Sequence, residues 1–198
     1  MRKARLAVLG SGSGSNFQSI LDAIDRGELH AEVAAVFSDV PGAHILQRAS
    51  LHGIPARVLD CAGFRNKFPE EAQRKLAEEL KALGVDLVCL AGFMRLVKKP
   101  LLDAFPRRIL NIHPSLLPRF PGLEAWKQAL DAGAAESGCT VHFVDAGMDT
   151  GAVIRQARVP VCPGDTPEKL HVRIQEQEHL LYPAAIREVL RNAAPGDD

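Results

Sequence analysis

The sequence predicts an α/β fold: a doubly wound, mostly parallel sheet with an antiparallel extension, built as a single domain. Three observations carry that prediction. Residues 5–10 and 86–90 are short, nearly continuous apolar runs, the composition of strands buried on both faces in a helix-covered parallel sheet. Between such runs lie stretches with apolar residues at helical spacing closed by glycine, as with Ile20, Leu21 and Ile24 before Gly27. Near the C-terminus, residues 139–144 and 153–161 read as two strands joined by a loop too short for a crossover helix, so they pair antiparallel.

The chain has 198 residues, 46% hydrophobic and 24% charged, enough to bury roughly 70% of its unfolded surface around one core. Residues 1–191 form the expected domain, and 192–198 a polar, flexible tail. Lys plus Arg equals Asp plus Glu at 24 each, so the overall field gives no reason to expect nucleic acid or an anionic membrane; an anion must be held by local groups in a pocket. No apolar run approaches the ~18 residues of a membrane span, and Met1-Arg2-Lys3 leads straight into a strand without a signal-peptide core. A cytoplasmic protein is expected. Cys61, Cys89, Cys139 and Cys162 form no Cys-x-x-Cys pair and read as buried, reduced thiols. The seven histidines give no His-x-x-x-His pair backed by an acid, so no metal is expected.

Taken in order, the strand at 5–10 feeds Ser11-Gly12-Ser13-Gly14-Ser15-Asn16 and then the helix that closes at Gly27. Backbone N–H groups approach a ligand closely where Cβ is missing, and a helix N-terminus favours negative charge, so this is a candidate anion cradle. A dinucleotide fingerprint would place its last glycine at Ser15 or Phe17, and no Walker lysine follows. A monophosphate ester suits the loop better; a tight turn without a ligand is the plainer alternative. Residues 32–38 and 56–59 read as strands, 43–52 and 66–83 as helices, and the strand at 86–90 delivers 91–97 to the sheet's carboxyl edge before a short helix at 100–105.

Residues 109–113 form the pivotal strand. Leu110 and Ile112 point to one face, Asn111 and His113 to the other, and Pro114 ends the strand with the polar pair at its carboxyl end, where open α/β sheets bind ligands. A hydrogen-bonded structural pair would look the same. The proline-rich stretch 114–122 should wrap this end rigidly, 123–132 is a helix holding Trp126 as packing, and the loop after 144 presents Asp149 between glycines. The last helix starts from a cap at Asp165 or Thr166, kinks at Pro183 and runs to 190, with Gln175 and Glu178 three apart on one face. Solvated polar residues would share that spacing.

Three runs, AGFMRL (91–96), LNIHPSLLPRFPG (110–122) and VHFVDAGMDTG (141–151), together resemble the folate-dependent formyltransferase family, above all its members that act on glycinamide ribonucleotide. The likeness covers nearly the whole chain and implies a Rossmann-like sheet. It also implies formyl transfer from N10-formyltetrahydrofolate, a co-substrate used without a metal, to the amine of glycinamide ribonucleotide in de novo purine (IMP) synthesis. By the same resemblance Gly14, Ser15 and Asn16 grip the phosphate, and Gln175 and Glu178 meet the ribosyl substrate. Met94, Arg95, Leu96 and Val97 wall the pterin, with Asn111 and a basic contact from Lys67. Asn111 and a protonated His113 resemble a two-donor oxyanion site, and Asp149 is expected to raise the His113 pKa and orient the ring. The expected partners are small molecules, and a homodimer is compatible with them. Two relatives are competing readings: methionyl-tRNA formyltransferase, which carries a further basic domain, and formyltetrahydrofolate hydrolase, which carries an added N-terminal domain. A noncatalytic nucleotide-binding protein would have no use for Asn111, His113 and Asp149 together.

Overall fold

Seven strands and six helices make up the computed structural model, which describes residues 2–64 and 67–193. In chain order they are β1 (Ala4–Leu9), α1 (Ser15–Asp25), β2 (Ala31–Ser38), α2 (His44–Leu51), β3 (Ala56–Val58), α3 (Glu70–Ala82), β4 (Leu87–Leu90), α4 (Lys99–Ala104), β5 (Ile109–His113), α5 (Ala125–Asp131), β6 (Glu136–Phe143), β7 (Val153–Pro160) and α6 (Pro167–Ala193). The sheet order is β3-β2-β1-β4-β5-β6-β7. Strands β1 to β5 pair parallel, and β6 and β7 add the antiparallel extension.

Alternation along β1 shows why the sheet is doubly wound. Leu6 and Val8 pack with α1, α2 and α6 through Phe17, Ile20, Ile45, Tyr182 and Ile186, whereas Ala7 and Leu9 pack on the other face with Leu76, Leu80 and Leu101 of α3 and α4. Each fully buried Leu, Ile or Phe contributes about 1.5–3 kcal/mol, so both layers are held mainly by burial. A third cluster seats the first half of α6, through Leu170 and Ile174, against Ala129, Cys139 and Val159.

Several boundaries differ from the sequence reading for local reasons. Helix α3 starts at Glu70, because Pro69 biases Phe68 away from helix and Glu70 and Glu71 suit the positive end of the dipole; residue 66, its expected start, lies outside the described residues. Strand β6 begins at Glu136, where Glu136 and Ser137 pair with Pro160 and Val159. Thr166, not Asp165, caps α6: its Oγ1 accepts the Lys169 N–H at 3.3 Å, while the Asp165 carboxylate takes both the Cys162 N–H and the Arg173 guanidinium. Helix α6 continues unbroken through Pro183 to Ala193, so two residues assigned to the tail are helical, and 194–198 lie outside the described residues. The thiols of Cys61, Cys89 and Cys139 are buried, but Cys162 is exposed on the β7–α6 loop.

Candidate active site

Both polar side chains of β5 do point to one face, and β6 places a third beside them. Asn111 stands opposite His142 in the antiparallel register, and Asn111 Nδ2 lies 3.2 Å from His142 Nε2. His142 Nδ1 lies 2.9 Å from the Phe143 carbonyl, which can only accept; in the neutral ring, Nδ1 therefore carries the hydrogen and Nε2 accepts from Asn111. Asp149 reaches into the same space from the β6–β7 loop, its backbone in the left-handed region at φ 57°, a conformation Asp tolerates better than most residues. One carboxylate oxygen is 3.5 Å from Asn111 Nδ2 and 3.7 Å from His142 Nε2; the other accepts the Gly122 N–H at 2.9 Å and lies 3.4 Å from His113 Nδ1. Asp149 thus ties the proline-rich wrap to the strand ends.

The electrostatics of this cluster correct one expectation. Burial pushes the His113 imidazolium below its ordinary pKa and outweighs the Phe120 carbonyl and the Asp149 charge, which both raise it. His113 Nε2 donates to the Phe120 carbonyl at 2.9 Å, so Nδ1, facing Asp149, is the nitrogen whose protonation varies. For Asp149, burial acts upward, but the His142 contact, the Gly122 N–H and the two imidazoles together hold the carboxyl below its ordinary value. An ionised carboxylate therefore faces a histidine that resists protonation. His142 was not singled out from sequence: only the β5–β6 register reveals it. Thr140, opposite His113, anchors the wrap by donating to the Ser115 carbonyl and accepting the Leu117 N–H.

In the glycine–serine loop after β1, Gly14 takes φ 74°, and a Cβ there would meet Ile45 at 2.9 Å, so its small size serves the packing of α2. Gly14 brings no side-chain cap to α1, so the first-turn N–H groups have no acceptor from the cap residue. Beside the loop, Ser15, Arg26, Arg48 and His179 line a groove of about 330 Å³, and Arg48 Nε holds the Ser13 carbonyl at 2.8 Å. Between α1 and α6, Asn16 Nδ2 donates to Glu178 Oε2 at 2.8 Å, both side chains are buried, and Asn16 Oδ1 has no partner among the described residues. Burial raises the Glu178 pKa, with Asn16 opposing it. Gln175 is half-buried one turn earlier on α6.

On the other side of Asn111, Phe93, Leu96, Val97 and Val144 line a narrow cleft of about 70 Å³ with Asn111, His142 and Asp149. Met94 and Lys67 are not on its lining. Met94 is 60% exposed at the rim, and the Lys67 ammonium stands 5.4 Å from the Phe64 ring. Arg95 borders the cleft, but its guanidinium is engaged elsewhere, 2.6 Å from Asp39. Among the described residues no group of three or more His, Cys, Asp or Glu is gathered to hold a metal, and no helix is long and apolar enough to cross a membrane.

A doubly wound sheet carrying an Asn–His–Asp cluster at its carboxyl edge, between a glycine loop and a narrow cleft of mixed polar and apolar lining, has the layout of a group-transfer enzyme on two small substrates. Residues 4–186 match the formyl transferase family, and the chain belongs to that family. It is 43% identical to the phosphoribosylglycinamide formyltransferase of Escherichia coli K12 over 181 residues, covering 91% of this chain and 84% of that one. It is 48% identical over 195 residues to the trifunctional purine biosynthetic protein adenosine-3 of Drosophila melanogaster, of whose length the chain spans 14%. The crystal structure of glycinamide ribonucleotide transformylase 1 from Symbiobacterium toebii superposes with a TM-score of 0.91 at 51% identity, covering 99% of this chain and 92% of that one.

Proposed function

We propose that this chain transfers the formyl group of N10-formyltetrahydrofolate to the amine of glycinamide ribonucleotide, a step of purine synthesis. The observation that carries the reading is the convergence of Asn111, His113 and His142 on the Asp149 carboxylate, beside a narrow cleft walled by Phe93, Leu96, Val97 and Val144, in a chain of this family. The amine nitrogen adds to the formyl carbon and leaves an oxyanion; the amine must then lose a proton and N10 gain one before the C–N10 bond breaks. The Asn111 contact to Asp149, at the limit of hydrogen-bonding distance, is a weak one that a developing oxyanion can displace. With Nε2–H held by Phe120, a proton from the amine enters His113 at Nδ1, turning a lone pair beside a carboxylate into an ion pair with Asp149. His113 in this account is neutral at rest and charged only in passing. The pterin stacks along Leu96 and Val97, and the ribonucleotide phosphate takes the N–H groups of the cap residue Gly14 and of Ser15 and Asn16, with Glu178 and Gln175 toward the ribose.

The deciding assay follows tetrahydrofolate release and the fate of a labelled formyl group with and without glycinamide ribonucleotide. The expected result is one formylated ribonucleotide for each tetrahydrofolate, and no release without the acceptor. Equal release with water alone would make the chain a hydrolase and defeat the reading.

A further inference from the structure

We propose that Ser11, Asp39 and Arg95 form a buried positioning strut that fixes the folate wall and the segment before α3 against the phosphate loop. The inference rests on the formyl-transfer reading above and adds residues to it. Arg95 follows the exposed Met94 on the loop after β4, yet its side chain is 6% exposed and that of its partner Asp39 is 5% exposed. Taking two charges out of water is costly, and apolar residues of similar size often stabilise a fold as well as a buried ion pair does. Stability alone is thus a poor reason for this pair.

Its connections supply a better one. One guanidinium nitrogen, Nε, meets Asp39 at 2.6 Å, and another, Nη1, donates to the backbone carbonyls of both Phe64 and Lys67. The second Asp39 oxygen accepts from the Ser11 hydroxyl, and the same hydroxyl accepts the Met94 N–H at 2.9 Å. The Ser11 N–H in turn holds the Gly92 carbonyl at 3.0 Å. Four connections at the sheet's carboxyl edge therefore meet at one ion pair: the loop after β1, the end of β2, the loop after β4 and the segment before α3. Ser11 opens the phosphate loop, and Met94 to Val97 form the wall assigned to the pterin. Phe64, Met94 and Leu96, each about half-exposed, are carried on the segments that the strut fixes. The Arg95 guanidinium is a positioning group, and its planar fork matters because a lysine ammonium cannot span Asp39 and two carbonyls at once.

The test is steady-state kinetics and thermal melting of Arg95→Lys and Ser11→Ala beside the wild-type enzyme. Arg95→Lys keeps the charge opposite Asp39 but leaves carbonyls short of a donor, so it should fold and melt only several degrees below wild type. Its KM for N10-formyltetrahydrofolate should rise about tenfold, the scale of one lost hydrogen bond to a charged group, while kcat at saturation falls less than about threefold. Ser11→Ala cuts the link between the two loops and should raise KM for both substrates. A folate KM within twofold of wild type in Arg95→Lys, or a loss confined to kcat, overturns the strut. Should Arg95→Lys fail to fold, Ser11→Ala, which removes a single oxygen, decides alone: both KM values unchanged overturns the proposal. Absence of formyl transfer by the wild type would defeat the functional reading and the strut with it, whereas normal wild-type turnover with unaffected variants defeats the strut only.

Discussion

Asp149 accepts from the Asn111 amide and the Gly122 N–H and lies 3.4 Å from His113 Nδ1 and 3.7 Å from His142 Nε2, so its replacement separates charge from shape. Asp149→Asn keeps an oxygen for Gly122 but removes the negative charge that raises the His113 pKa. The His113 midpoint, already below the ordinary histidine value through burial, should fall further, and the rate near neutrality should drop because the transient imidazolium loses its counter-charge. NMR titration of His113 in both proteins is the measurement; an equal or higher midpoint in Asp149→Asn would show that the carboxylate does not act on the ring. Losing one donor to an oxyanion typically costs on the order of 10²–10³ in rate, so Asn111→Ala should lower kcat by about that factor with its melting temperature little changed. A kcat within tenfold of wild type would remove Asn111 from the chemistry. The Asn111–His113 pair was legible because strand alternation and Pro114 settle which side chains share a face and where the strand stops. His142 was not, since alternation within β6 says nothing of its register against β5. The sign of the His113 shift was missed for a related reason: sequence names the charged neighbour, but the depth of burial that outweighs it belongs to the folded packing.

Elements hold this site from outside it. Tyr182, fully buried on α6, places its hydroxyl 2.9 Å from the Leu90 carbonyl and 3.2 Å from the Leu110 carbonyl, sharing one hydrogen between the end of β4 and the beginning of β5. That contact sets the height of α6 on the sheet and hence the position of Glu178, about one helical turn back. Tyr182→Phe leaves two buried carbonyls short of a donor and should cost about 1–3 kcal/mol in chemical denaturation, with an unchanged value showing that the hydroxyl is idle. The loop after β1 gives a sharper case. Gly14→Ala forces a side chain into the left-handed region, worth roughly 1–2 kcal/mol, and against Ile45 at 2.9 Å. The protein should therefore melt several degrees lower without any ligand, because about 1 kcal/mol moves the midpoint of a domain this size by ~2–4 °C. Equal melting temperatures would mean that α2 yields easily and that the glycine is kept for the phosphate alone. The strand at 109–113 and the glycine that closes each early helix were readable from local pattern. The approach of α2 to Gly14 was not, since it depends on two elements separated by β2.

At the scale of the molecule, the equal count of acids and bases leaves stability to individual buried groups, and their signs can be followed through pH. Burial lowers the pKa of His113, of His171 stacked on Trp126 at 3.8 Å, and of His179. Below the ordinary histidine value near 6.5, the unfolded chain takes up protons that the folded chain refuses, so stability is lost as pH falls through that value toward the lower folded ones. Glu178 has the opposite sign: its raised pKa makes the folded chain the better proton acceptor above the ordinary glutamate value, so it loses stability as pH rises and regains it on acidification. Between pH ~7 and ~5 the three histidines should outweigh the one glutamate, and the melting temperature should fall. Replacing single groups resolves the balance. His171→Phe can keep the stack on Trp126 but cannot titrate, and should flatten the fall; Glu178→Gln removes the opposing group and should steepen it. Melting curves at constant ionic strength across this range provide the check. A wild-type midpoint that stays level, or a His171→Phe slope equal to the wild-type one, would show that these buried rings take no part in setting acid stability.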